Sequence, residues 1–104
     1  MNEQHRINQK DEKGYAFFGA YIKNIKIGKN VQTIGGNAFL TSDLKIVELD
    51  SANIAASTNN CGKLLENRET IYIKSDITEI GSYITDNYQI TESDKEGYVK
   101  YIKK

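Results

Sequence analysis

The chain has no proline and no tryptophan, and only one cysteine and one histidine, in 104 residues. A lone cysteine, Cys61, excludes an intramolecular disulfide, so packing must stabilise the fold. One histidine and one cysteine cannot assemble a zinc site of the usual kinds within one chain. An excess of one charge is missing too: Lys plus Arg and Asp plus Glu each number 14. No overall field therefore recruits nucleic acid or an acidic membrane. No apolar run approaches the roughly eighteen residues that read as a membrane span, so no membrane insertion is expected. The opening "MNEQHRINQKDEK" is the opposite of a secretory signal. If Met1 is the natural start, the expected compartment is the cytosol; for a piece of a longer protein that inference lapses, so localisation stays open. The missing proline reflects a compositional bias and carries no function.

What the chain does have is a repeat. A shift of 22 lays "GYAFFGAYIKNIKI" over "GNAFLTSDLKIVEL", matching Gly14, Ala16, Phe17, Ile22, Ile25 and Ile27 with Gly36, Ala38, Phe39, Leu44, Val47 and Leu49. A further shift of 24 carries Val47 and Leu49 onto Ile71 and Ile73, and Ile34-Gly35 is answered by Ile80-Gly81. Periods of about 20–29 residues mark leucine-rich repeats, each one strand plus a helical or turn segment. Apolar residues at alternate positions in "NIKI", "IVEL" and "TIYI" predict strands that bury one side. The stretches between them are too long for hairpins and suit crossovers, so these strands should be parallel. Val31 and Ile34 should continue the inward packing, with Gly35, and again Gly81, giving a turn where positive φ costs little. Residues 52–66 read either as a helix in "SANIAAS" capped by Ser51 or as one in "STNNCGKLLENR", with a helix ending before Arg68 preferred.

The unit "IKIGKNVQTIGGNAF" resembles the BspA-type leucine-rich repeat: apolar-x-apolar-Pro, then Val-x-x-Ile-Gly-x-x-Ala-Phe. The resemblance is close there and partial at "GYAF" and "IYIKSDITEIGSYI". Gly28, Asp50 and Lys74 replace the family's proline, and Arg68 replaces a core leucine. It implies an α/β fold: a short right-handed solenoid of about three repeats, with parallel strands near 22–27, 44–49 and 69–74 and short helical or turn crossovers. Residues 1–13 are expected to be a polar, disordered segment, 14–84 the solenoid, and 85–104 a C-terminal cap with a basic tail. The family's members are typically bacterial or protist surface and secreted proteins that bind other proteins, so the resemblance implies binding without catalysis.

Chemistry is sparse. His5 lies in a polar terminal segment, and Cys61 reads as a packing or surface thiol. Neither phosphate-loop order is present around "GKNVQTIGG", and "TESDKEG" lacks the spacing of a calcium loop. No cofactor is expected. The expected function is a non-catalytic protein-binding module that uses the exposed sheet face; the alternatives are a structural cap of a longer repeat protein and a small enzyme with an unrecognised site. Counting between buried positions gives two outward columns: Lys26, Glu48 and Tyr72, and Asn24, Ile46 and Thr70. These six are the candidate partner-binding residues. Interleaved Tyr and Lys in "YVKYIKK" are assigned to strand alternation in the cap rather than to nucleic acid. The aromatic N-terminal layer of Phe17, Phe18 and Tyr21, beside an open strand edge, predicts self-association.

Overall fold

The computed structural model describes residues 23–34, 43–56 and 63–104, together with the main chain of 4–7. Six strands form one sheet: β1 (Gln4–Ile7), β2 (Asn24–Ile27), β3 (Ile46–Leu49), β4 (Thr70–Lys74), β5 (Tyr88–Thr91) and β6 (Tyr98–Lys103), in the order β1-β2-β3-β4-β6-β5. Strands β1 to β4 pair in parallel, whereas β6 runs antiparallel to β4 and β5 antiparallel to β6. The three expected parallel strands are present, but the sheet is larger and mixed. Its two last strands are close in sequence, which is what allows them to pair as an antiparallel ladder.

The repeat is visible in main-chain bonding. The Lys23 carbonyl accepts the N–H groups of Lys45 and Ile46 at 2.8 and 3.1 Å, and one repeat later the Lys45 carbonyl accepts those of Glu69 and Thr70 at 2.9 and 3.2 Å. The turn after β2, with Val31 N–H on Gly28 O, recurs after β4 as Ile77 N–H on Lys74 O. Strand register puts Ile25, Val47, Ile71 and Tyr101 in one inward column, and Ile27, Leu49, Ile73 and Val99 in the next. The three repeat strands bury these residues completely or nearly so, with Val31, Ile34, Leu44, Leu64, Leu65 and Tyr88 added around them.

Among the described residues, two short helices close the side of the core away from the open sheet face. Helix α1 (Ala52–Ala56) buries Ile54 and Ala55, and α2 (Ser82–Asn87) buries Ile84. Ser51 caps α1: its Oγ accepts the Ile54 N–H at 3.2 Å and donates to the Val31 carbonyl at 2.7 Å. The first reading of 52–66 therefore holds. Residues 63–67 are a turn rather than the end of a helix, and Asn67 stands at φ 61. Gly81 is needed for a different reason than the one expected. Its φ is −64, open to any residue, but a Cβ there would lie 3.1 Å from Ala56 O and 3.4 Å from Ala55 O. That close approach lets Gly81 N–H reach Ala55 O at 2.7 Å and tie α2 to α1.

The segment 1–13, expected to be disordered, contains β1. A parallel edge strand is held by the main-chain groups of its neighbour, here β2, and does not require an alternating apolar sequence; Ile7 stands in register with Ile27. The aromatic layer Phe17, Phe18 and Tyr21, the turn at Gly35 and Cys61 lie outside the described residues.

Buried Arg68 is the main departure from an apolar core. Only 6 % exposed, it donates from Nε to Leu64 O at 2.7 Å, from one terminal nitrogen to Leu44 O at 3.2 Å and from the other to Lys63 O at 2.9 Å. A planar guanidinium has five donors in a fixed fork, and here it gathers two carbonyls of the irregular 63–67 turn and one from the preceding repeat. Burial lowers its pKa from the ordinary arginine value, partly opposed by nearby Tyr88 and Glu66.

Candidate functional site

The sheet face away from the helices carries the two predicted columns, each extended by β6. Lys26, Glu48, Tyr72 and Lys100 stand side by side, as do Asn24, Ile46, Thr70 and Ile102. Alternation along each strand puts them there: every inward residue is followed by one on this face. The two columns have different surroundings.

The first is covered by the β5–β6 connection, residues 92–97. Ser93 Oγ donates to the Lys95 carbonyl at 3.0 Å and accepts the Lys95 N–H at 3.1 Å, Tyr98 N–H bonds Lys95 O, and Ser75 N–H bonds Gly97 O. The glycine takes φ 84, a left-handed conformation that side chains disfavour. Folded in this way, the loop seats the Lys95 ammonium 3.1 Å from Glu48 Oε1. Lys26 Nζ lies 3.2 Å from Glu48 Oε2 and 3.3 Å from Asp50 Oδ2. The Tyr98 hydroxyl lies 2.9 Å from Glu48 Oε2 and 2.6 Å from Asp50 Oδ1, and its single proton can serve either. Tyr72 donates to Asp94 Oδ1 at 2.6 Å, with Lys100 Nζ 3.5 Å from the same oxygen. The Lys95 ammonium is also 5.7 Å from the centre of the Tyr72 ring and 5.6 Å from that of Tyr98, within cation–π reach of both.

Glu48 is consequently only 3 % exposed. Burial alone would raise its pKa, but Lys95, Tyr98 and Lys26 outweigh it and hold the carboxyl below the ordinary glutamate value. Burial and the carboxylates beside them push both phenols the other way, Tyr72 to about 12 and Tyr98 upward more strongly. The ion pair between the column neighbours Lys26 and Glu48 is thus one contact of a larger network. The sequence presents this column as open; the loop over it is held by tertiary contacts some fifty residues apart, such as Tyr98 to Glu48, which strand alternation cannot signal. Asp50, Asp94, Lys95, Tyr98 and Lys100 are the members of this site that column counting missed. Tyrosines interleaved with lysines near "SDKEGYVK" were their only sequence signal.

The second column is more open. Asn24, Ile46, Thr70 and Ile102 are all part-exposed, so an apolar pair flanks Thr70 on a face otherwise rich in charge. Ile90, on outer strand β5, is 65 % exposed.

Elsewhere, a shallow cleft of about 300 Å³ lies between Asp43, Lys45, Lys63, Glu66 and Arg68. Its cations are engaged, Lys45 with Glu69 at 3.5 Å and Lys63 with Glu66 at 3.4 Å. Among the described residues no group of three or more His, Cys, Asp or Glu is placed to hold a metal ion, and no helix is long and apolar enough to cross a membrane.

In-register parallel strands with the same main-chain bonding one period apart define an α/β repeat protein. The BspA type leucine rich repeat region matches residues 8–104 in six copies. The chain belongs to the BspA-type leucine-rich repeat family. More copies are matched than the roughly three repeats read from the sequence, and the match runs through the C-terminal strands. No curated protein and no solved structure matches the chain.

Proposed function

We propose that the chain is a non-catalytic protein-binding module: a short right-handed leucine-rich-repeat solenoid with residues 85–104 as its cap and the open sheet face as its recognition surface. The observation that carries this reading is the in-register presentation of Asn24, Ile46 and Thr70, extended by Ile102, beside the charged column of Lys26, Glu48 and Tyr72. Parallel strands at a fixed repeat hold such columns rigidly, so a partner meets a preformed surface. Ile46 and Ile102 supply an apolar centre and the lysines and carboxylates a polar rim, the composition of a contact patch. The antiparallel β6 ends the parallel ladder at β4, which supports the cap reading of 85–104.

Affinity capture with the intact chain, repeated with Ile46→Asp and Tyr72→Ala, tests the surface. Loss of the specific partners with Ile46→Asp is expected, and their retention by both variants refutes it. The same reading includes self-association through Phe17, Phe18 and Tyr21. Ultracentrifugation at micromolar concentration should show a dimer or larger species, and a clean monomer removes that part.

A further inference from the structure

We infer that Glu48, Tyr72 and Tyr98 form a recognition site for a lysine side chain of a basic partner segment, and that Lys95 of the chain's own 92–97 loop occupies this site as a built-in competitor. The inference rests on the sheet face being the recognition surface and names the partner chemistry that face would take.

The geometry is that of an ammonium receptor. The Lys95 nitrogen meets a carboxylate oxygen at 3.1 Å, and the Tyr72 and Tyr98 rings lie at 5.7 and 5.6 Å. A carboxylate with two aromatic walls suits a compact cation, because charge attraction and ring quadrupoles act on the same group. The cradle is preformed, since Glu48 and Tyr72 sit on central strands and Tyr98 anchors to Glu48 and Asp50 at 2.9 and 2.6 Å.

Each Glu48 oxygen meets its own ammonium, Lys26 on Oε2 and Lys95 on Oε1. The carboxylates of Glu48, Asp50 and Asp94 face the ammonium groups of Lys26, Lys95 and Lys100. Withdrawal of the Lys95 side chain alone leaves Oε1 of a carboxylate only 3 % exposed without its cation. An incoming lysine would restore that contact.

The present occupant can leave without opening the core. Lys95 has a side chain 41 % exposed, no residue of 92–97 belongs to the buried apolar cluster, and the loop ends at Gly97, where a Cβ would meet nothing within 4 Å. An intramolecular competitor lowers apparent affinity in proportion to the time it spends in the site, so its removal should be read directly as tighter binding.

The test titrates an acetylated, amidated tetralysine peptide into the full chain while following the main-chain amide resonances of Tyr72 and Tyr98. Lys95→Ala should bind at least about tenfold tighter than the unaltered protein. Adding Tyr72→Leu or Glu48→Gln to Lys95→Ala should reverse most of that gain, and the same peptide with acetylated lysines should not compete. The Tyr72→Leu arm keeps the net charge of Lys95→Ala, so it separates the site from general attraction to a more acidic protein, and it decides the matter if Glu48→Gln impairs folding. No gain with Lys95→Ala, equal binding of the acetylated peptide, or full binding by folded Lys95→Ala/Tyr72→Leu overturns the inference. If Ile46→Asp abolishes partner capture while the titration fails, only the lysine assignment falls. Partners kept by both Ile46→Asp and Tyr72→Ala remove the sheet-face reading itself.

Discussion

Replacing Tyr88 with phenylalanine removes a single oxygen from a residue only 2 % exposed and leaves the ring in place. That oxygen accepts the Arg68 N–H at 2.9 Å and lies 3.0 Å from Leu65 O and 2.9 Å from Arg68 O, its proton serving one of them at a time. The hydroxyl therefore closes the 63–67 turn onto the start of β5. Without it, the buried Arg68 N–H loses its partner, at about 1–3 kcal/mol, and one O–H bond worth about 0.5–1.5 kcal/mol disappears. Recovery of the hydroxyl's own burial cost brings the expected loss to about 2 kcal/mol. For a domain of this size that corresponds to a Tm lower by roughly 8–16 °C. Urea unfolding followed by circular dichroism, with calorimetry beside it, measures both quantities. Tyr101→Phe is the internal control. Tyr101 is 7 % exposed, but its hydroxyl has no hydrogen-bond partner among the described residues, so the change should cost less than about 0.5 kcal/mol. Burial also raises the Tyr88 phenol above its ordinary 10.0, so the neutral phenol is favoured in the folded state. Its contribution is complete below pH 10 and is lost as pH climbs through the raised value, so the alkaline fall in stability should be shallower in Tyr88→Phe. Equal urea midpoints for Tyr88→Phe and the unaltered chain would refute the reasoning.

Ser51→Ala removes the cap of α1 and the bond to Val31 O together; a loss of about 1–2 kcal/mol is expected in urea unfolding, and a change near zero would mean that α1 needs no cap. Gly81→Ala pushes a methyl against the Ala55–Ala56 main chain, and hydrogen exchange should show earlier opening of α2 with a net cost of about 1 kcal/mol after the gain from a stiffer unfolded chain. Glu48 has its pKa lowered from the ordinary 4.5, so its stabilising contribution is present above that pH and is lost as pH falls through the lowered value. Acid unfolding should accordingly be less steep in Glu48→Gln, while equal slopes would show that its three partners do not act on it.

The repeat strands were legible because one periodicity decides both their type and their inward side. Ile25 and Ile27, Val47 and Leu49, and Ile71 and Ile73 alternate and recur at shifts of 22 and 24, and all six are buried. Where periodicity fades, so does legibility. β1 has no apolar alternation, and only the open edge of β2 accounts for it. Arg68 is more instructive, because a charge at an apolar position of the repeat signals a departure without saying how it is resolved. Carbonyls of Lys63 and Leu64 from the turn and of Leu44 from the preceding repeat resolve it, and no spacing rule brings those three together.

The loop over the sheet face shows the same limit at the candidate site. Column counting correctly makes Lys26, Glu48 and Tyr72 neighbours, since register depends only on the strands. It says nothing about a connection two strands away. The order β4-β6-β5 brings the 92–97 turn back beside β4, and from there Lys95 reaches across Tyr72 to Glu48 on β3. Antiparallel pairing at the end of the parallel ladder therefore has two consequences. It covers the outer edge of β4, and it places a loop that carries Lys95 between two acidic neighbours on the surface that the parallel strands would otherwise leave open. The apolar column of Asn24, Ile46, Thr70 and Ile102 does not share that loop's contacts, so the two columns should respond differently to mutation of the loop: changes at Lys95 should alter recognition by the charged column and leave the apolar one as it is.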